Sequence, residues 1–127
     1  MSMKTGELAA YYKHKYPLTF KRDVSSIDPS LPKRYEDAWE VAKIAAAILK
    51  ENYGANKVVV FGSLADRSSF TLWSDIDLAV WGVPDETFYA AVGAVTSLSA
   101  EFKIDLVDVL GCHASIRKEI KIKGIEI

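Results

Sequence analysis

Two aspartates separated by one residue are the feature of this sequence best suited to chemistry. Asp75 and Asp77 lie in the apolar run of residues 75–81, which is typical of a buried β-strand. Residues two apart on a strand point to the same face, with Cα atoms roughly 6.5–7 Å apart. Burying two like charges together is costly unless a cation neutralises them. The pair therefore predicts a divalent cation site, and Mg²⁺ prefers oxygen ligands of this kind. Two acids at a solvated strand end are the alternative interpretation.

A glycine–serine pair follows another short apolar run, residues 57–61, which also reads as a buried strand. Gly62 would let the backbone approach a ligand closely, and the amides that follow could form an anion-binding nest. The hydroxyl of Ser63 could contact a phosphate oxygen. Taken alone, a strand-ending glycine with a capping serine is the more common arrangement.

A third acid lies in the middle of a later apolar run, residues 102–110. If that strand lies beside the strand of Asp75 and Asp77, Asp105 completes a site with three carboxylates. Metal ions held there could position an attacking oxygen and stabilise a pyrophosphate leaving group. Asp108 has the opposite parity and should face the other side of the sheet unless a bulge intervenes. Both acids remain open as the third carboxylate.

The elements that must position these residues can be read from hydrophobic spacing. Helical periodicity predicts a long amphipathic helix over residues 34–53, a second helix after Pro84 and a terminal helix over residues 113–123. The order is helix, strand, loop, strand, helix, strand, helix. It predicts an α/β or α+β fold, with a small mixed sheet backed by helices on one face. Residues 1–33 are interpreted as an N-terminal arm with a short helix and a loop, and residues 34–127 as the domain.

The composition of the chain argues against some classes of function. The chain has 127 residues, half of them hydrophobic, which suits one domain with one core. The 17 acidic and 16 basic residues leave a net charge of −1, so no basic field favours direct nucleic-acid binding. Cys112 is the single cysteine, and no stretch approaches the roughly 20 apolar residues of a membrane helix. We therefore expect a soluble cytoplasmic protein.

Three segments together resemble a known family. VVFGSLA at residues 59–65, SDIDLAV at residues 74–80 and IDLV at residues 104–107 resemble the signature of the polymerase-β-like nucleotidyltransferases. The small size and the pairing of the motifs are similar to the minimal nucleotidyltransferase (MNT) antitoxins of that superfamily. The resemblance covers about residues 35 to 124. It implies that the glycine–serine pair holds the nucleoside triphosphate and that the acids bind Mg²⁺, with these roles falling to Gly62, Ser63, Asp75, Asp77 and Asp105.

One departure from the family pattern concerns the loop between the serine and the first aspartate. The family commonly has ten residues there, whereas this sequence has eleven, residues 64–74. A loop absorbs one extra residue at little cost, so the site should be retained. Arg67, within this loop, is a candidate phosphate contact.

The resemblance also implies a reaction and a partner. The reaction is transfer of AMP from ATP to a hydroxyl group with loss of pyrophosphate. Family members of this size act with a HEPN-domain toxin, a small helical ribonuclease, which they silence by adding AMP to a tyrosine and by binding it. We therefore expect a HEPN-domain partner and ATP as substrate. We also expect the chain to form an oligomer or hetero-oligomer. A binding-only antitoxin and a small-molecule nucleotidyltransferase of the aminoglycoside-modifying kind remain alternatives.

Overall fold

The first helix of the structure, a computed structural model that describes residues 29–127, begins earlier than the sequence pattern predicted. Helix α1 spans Leu31–Asn52 rather than starting at residue 34. Pro32 is tolerated in its first turn, where the missing N–H has no partner in any case. Leu31 is buried in the core, which extends the helix into the predicted arm. The remainder of that arm, residues 1–28, lies outside the described residues.

Four strands form one mixed sheet. They are β1 (Lys57–Phe61), β2 (Ile76–Trp81), β3 (Ile104–Asp108) and β4 (Ile125–Glu126), arranged in the order β3-β2-β1-β4. β1 pairs antiparallel with β2 and with β4, while β2 and β3 are parallel. The predicted α+β fold is therefore confirmed, and β3 lies beside β2, the arrangement that a site with Asp105 requires. β4 was not predicted, because two residues are too few to show a strand pattern.

Helices and short turns fill the connections. The 3₁₀ turns Gly62–Ala65 and Arg67–Ser69 lie between β1 and β2. Helix α2, Asp85–Thr96, makes the crossover that the parallel pair β2 and β3 requires. A 3₁₀ turn at Val109–Gly111 leads from β3 towards helix α3, Ala114–Lys123.

The two faces of the sheet are covered by different helices. Val58, Val60 and Leu78 belong to the larger core cluster, which also contains the buried residues of α1 and α2. The alternate strand residues, such as Val59, form a smaller cluster with Ile120 of α3. The prediction that the helices back one face is therefore wrong for α3. Its apolar side packs over the odd-numbered strand residues, and the chain then returns directly to β1 as β4. No helix within residues 29–127 is long and apolar enough to span a bilayer.

Candidate functional site

The structure places two of the predicted carboxylates side by side on the sheet face that α3 covers. Asp77 on β2 lies in register with Asp105 on the parallel strand β3. Asp75 immediately precedes β2 and has the same parity as Asp77. Asp108 has the opposite parity, and its Oδ1 accepts a hydrogen bond of 3.1 Å from the backbone N–H of Leu110. Asp105 therefore shares the face of Asp77, whereas Asp108 caps a turn.

The environment of Asp77 disfavours its charge. Burial, followed by the negative charges of Asp105 and Asp75, raises the pKa of Asp77 to about 6, from 3.8. Glu119 adds a smaller repulsion, and a hydrogen bond with Asp105 further favours the protonated form. Lys103 forms an ion pair with Asp105, with 3.8 Å between Nζ and Oδ1, and the two side chains are 65% and 45% exposed. Asp77 therefore occupies a site that favours a bound cation or a proton.

Gly62 fits this site because it carries no side chain. Its φ of 72° lies in the left-handed region, and an added Cβ would overlap with Asp77 Oδ2. The backbone at the end of β1 is thus in close contact with the carboxylate on β2. Ser63 follows on the 3₁₀ turn, and its carbonyl accepts a hydrogen bond of 3.1 Å from the Asp66 N–H. The predicted phosphate site and the predicted metal site are consequently adjacent.

Arg67 makes a different contact. Its guanidinium carbon lies 4.5 Å from the centre of the Tyr35 ring on α1, which packs against the opposite face of the sheet from Asp77. Asp66 fixes this turn by accepting hydrogen bonds from the hydroxyls of Ser68 and Ser69, at 2.7 and 2.9 Å. The assignment of Arg67 as a phosphate contact stays a prediction, since its recorded contact is with α1.

A cleft of about 680 Å³ opens beside the carboxylates. Two charged residues that the sequence pattern did not single out line it. Glu119 of α3 and Lys103, two residues before Asp105, both line it. Glu119 could have been found from helical spacing, because it follows Ile116 by three residues and precedes the buried Ile120. The full lining is Phe61, Asp77, Val92, Thr96, Lys103, Ile104, Asp105, Leu106, Val107, Ile116 and Glu119.

The donor chemistry of the site fits Mg²⁺. In the described part of the chain, no group of three or more His, Cys, Asp or Glu side chains forms a complete metal-binding set. Mg²⁺ does not require one, because it commonly binds through one or two carboxylates together with substrate phosphates and water. Asp77 and Asp105 lie in register on neighbouring strands, and their mutual repulsion is the kind that a divalent cation relieves.

Solved structures similar to this chain come from toxin–antitoxin complexes. One is the toxin–antitoxin MntA–HepT, with 17% identity, a TM-score of 0.52, and 69% of each chain covered. A second is a toxin–antitoxin with AMP-PNP, with 19% identity, a TM-score of 0.52, and 68% of this chain and 70% of that chain covered. A third is the tri-AMPylated Shewanella oneidensis HEPN toxin in complex with an MNT antitoxin, with 17% identity, a TM-score of 0.53 and 70% of each chain covered. At these identities the likeness shows the fold.

The family of the chain follows from a comparison of its sequence with protein families. A comparison with curated protein sequences found no match to this chain. The family described as "Polymerase beta, Nucleotidyltransferase" matches residues 43–127, which is more than half of the chain and includes every residue of the site. The matched segment carries the glycine–serine turn, both strands of the acidic site and helix α3. The chain therefore belongs to the polymerase-β nucleotidyltransferase family.

Proposed function

We propose that this protein transfers AMP from ATP to a tyrosine hydroxyl of a HEPN-domain toxin and thereby acts as an antitoxin. The observation that carries the proposal is the pairing of Asp77 with Asp105, in register, beside the close backbone approach of Gly62. Family membership supports nucleotidyl transfer. The similar structures contain AMP-PNP in one case and a tri-AMPylated HEPN toxin with its MNT antitoxin in another, which supports ATP and a protein acceptor.

Substrate binding is divided between the two parts of the site. The backbone at Gly62 and the hydroxyl of Ser63 would hold the triphosphate, because amides after a strand end form an anion-binding nest. Asp75, Asp77 and Asp105 would hold Mg²⁺, which supplies charge neutralisation for the triphosphate and the pyrophosphate leaving group. Half-burial of Asp77 keeps these interactions strong, since water screens them less than at the surface.

Asp105 is suited to act on the acceptor. It lies on β3 and lines the open cleft, so a hydroxyl entering from that side meets it. In the reaction the hydroxyl oxygen bonds to the α-phosphorus of ATP, and the bond from that phosphorus to the oxygen bridging the α- and β-phosphates breaks. Pyrophosphate leaves, and Asp105 accepts the hydroxyl proton. Positioning and charge neutralisation provide most of the rate enhancement in such a transfer.

Labelled ATP tests this proposal. The purified protein is incubated with Mg²⁺ and the product of the adjacent gene, using ATP labelled at either the α- or the γ-phosphate. We expect α-label on a tyrosine of the partner and no transfer of γ-label. Transfer of γ-label would instead show a kinase, and α-label on an aminoglycoside but on no protein would show a small-molecule transferase.

A pair of matched variants connects the activity to the site. Asp77→Asn should lower labelling by about a hundredfold or more, the scale of losing a main electrostatic group. Asp108→Asn is the control, because Asp108 faces away from the site and asparagine can still cap the turn at Leu110. If Asp77→Asn silences the toxin as well as the wild-type protein does, binding alone neutralises the partner and the enzymatic proposal fails.

A further inference from the structure

Strand β3 lies at an edge of the sheet. In residues 29–127 it pairs with β2 and has no strand on its other side. An edge strand offers N–H and C=O groups with which another extended chain can pair. Residues 103–107, which include all but the last residue of β3, line the cleft described above. The cleft thus follows the free edge of β3 and contains both backbone and side-chain binding groups.

The two walls of the cleft differ in a way that suits an extended polypeptide. Val92 and Thr96 of α2 form one wall together with Leu106 of β3. Ile116 and Glu119 of α3 form the other. Because side chains alternate along a strand, a chain added to β3 would direct successive side chains to opposite walls. Apolar side chains suit the α2 wall, and an aromatic ring whose polar end reaches a carboxylate suits the α3 wall.

The cleft extends from the end of β1, where Phe61 precedes the predicted nucleotide nest, to the edge of β3. Gly62 contacts Asp77 from the end of β1, whereas the β3 part of the cleft lies two strands away in the sheet. Asp77 and Asp105 line the cleft as well. A nucleotide at Gly62 would therefore leave the β3 part of the cleft open to the acceptor, which meets Asp105 there.

Charge in the cleft favours one class of acceptor. Its lining carries three carboxylates, those of Asp77, Asp105 and Glu119, and a single ammonium group, that of Lys103. This balance repels a polyanion such as a nucleic-acid end and attracts a neutral or basic segment. The edge of β3 that no strand of residues 29–127 covers needs backbone groups as partners, which a small sugar or an aminoglycoside cannot supply in series.

From these observations we infer that the cleft docks an extended, neutral or basic segment of the acceptor protein along β3, with its tyrosine on the α3 wall. This inference rests on the proposed function. The tyrosine ring packs beside Ile116 and Val107, and its hydroxyl reaches Asp105. Main-chain pairing with β3 provides affinity, and the alternating walls decide which side chain enters the site.

Peptide labelling tests the docking. The probe is a short peptide with one tyrosine between β-branched residues and a lysine at each end, supplied with α-labelled ATP and Mg²⁺. We expect AMP on its tyrosine. A peptide with the same side chains but N-methylated amides should lose at least about tenfold in kcat/KM, because it cannot donate to β3. Replacing both lysines with glutamates should cost a similar factor.

A variant of the α2 wall provides the structural control. Thr96→Arg places a long side chain in the cleft and should raise the peptide KM at least about tenfold. ATP affinity, measured without peptide, should stay within about twofold, because Thr96 lines the β3 part of the cleft and β3 lies two strands from β1, which ends at the nest. Tyr89→Arg on the same helix is the matched control, since Tyr89 is 84% exposed and does not line the cleft. It should leave both values unchanged.

The outcomes separate the docking from the reaction. If the protein binds ATP but does not label the peptide, or labels the N-methylated or acidic peptide equally well, the inferred docking is wrong. Equal peptide KM in Thr96→Arg and wild type, or preferential labelling of an oligonucleotide, also contradicts it. Label found on residues 1–28 of the protein itself, in place of the peptide, would show that the cleft serves another segment. If the wild-type protein binds no ATP, the proposed function itself fails.

Discussion

The two faces of the sheet have different chemistry. The face packed against α1 and α2 holds a continuous apolar cluster that includes Ala38, Leu49 and Leu78, each 0% exposed. The face packed against α3 has a much smaller cluster and carries Asp77 and Asp105 beside it. No polar or charged residue among residues 29–127 is fully buried, so the acids are held only half-buried at the margin of the apolar surface.

This difference assigns most of the stability to one face of the sheet and the acidic site to the other. Apolar burial stabilises a fold in rough proportion to the area removed from water, and the α1–α2 face provides most of it. The α3 face instead brings like charges together, which opposes folding until a cation or a proton is bound. The fold tolerates this charge repulsion because the buried cluster of the α1–α2 face consists entirely of apolar side chains.

The largest expected loss of stability is on the α1–α2 face. Leu78→Ala should lower the free energy of unfolding by about 2–5 kcal/mol, because it leaves a cavity in a fully buried cluster. Ile44→Ala on α1 is the control, since Ile44 is 52% exposed, and it should change stability by less than about 0.5 kcal/mol. Urea unfolding measures both. Equal effects would mean that this face does not dominate the stability.

A glycine comparison tests the contact between the two halves of the site. Gly62→Ala introduces a Cβ that must displace the carboxylate of Asp77, and it also strains a backbone with a φ of 72°. Gly54→Ala shares the strain, with a φ of 77°, but its Cβ would meet no atom within 4 Å. Gly54→Ala should cost about 1–2 kcal/mol in unfolding free energy, and Gly62→Ala should cost more because it adds the clash with Asp77.

Activity should separate these two variants. Only Gly62→Ala should lose AMP transfer, by about tenfold or more, because it moves a metal ligand. Circular dichroism melts and labelling with α-labelled ATP provide the two readouts. Equal activity of the two alanine variants would show that the backbone of Gly62 does not position Asp77.

The pH dependence of stability is a smaller effect with a defined sign. With a folded pKa of about 6 against an ordinary 3.8, Asp77 keeps a proton that the unfolded chain has already lost. Stability should therefore fall as pH rises from about 4 to 6, and remain lower above that range. The expected fall is about 1–2 kcal/mol, less than the full shift implies, because solvent screens part of the charge.

The contribution of Asp77 must be isolated from that of other acids. Hydrogen bonds from Ser68 and Ser69 lower the pKa of Asp66, so this exposed group acts in the opposite direction. The informative quantity is the difference between wild type and Asp77→Asn in urea unfolding without metal, measured from pH 4 to pH 7. If that difference does not change with pH, Asp77 has an ordinary pKa.

The features predictable from the sequence were those with a repeating pattern or a paired motif. Alternation placed Asp75 and Asp77 on one face and separated Asp105 from Asp108, and the structure agrees. Helical spacing found α1, α2 and α3 but could not say which face of the sheet α3 covers, because that depends on how the chain returns to β1. For the same reason the helical pattern did not assign Glu119 to the site.

Contacts between distant segments were the other part that the sequence did not predict. The approach of Gly62 to Asp77 and the stacking of Arg67 on Tyr35 depend on the path of the loop between β1 and β2. The pairing of β4 with β1 involves two residues of β4 and has no periodicity to detect. The position of β3 at an edge of the sheet, within residues 29–127, likewise became visible only with the strand order.

The most direct test of the division between the two faces is the unfolding free energy of wild type and Asp77→Asn at pH 7.5, each with and without Mg²⁺ and ATP. Without ligand, Asp77→Asn should be more stable by about 1–2 kcal/mol, because a repelled charge is removed. With ligand at about 100 times its Kd, the wild type should gain about 2.7 kcal/mol and the variant almost none. A less stable variant without ligand, or an equal gain in both proteins, would contradict a metal and nucleotide site at Asp77.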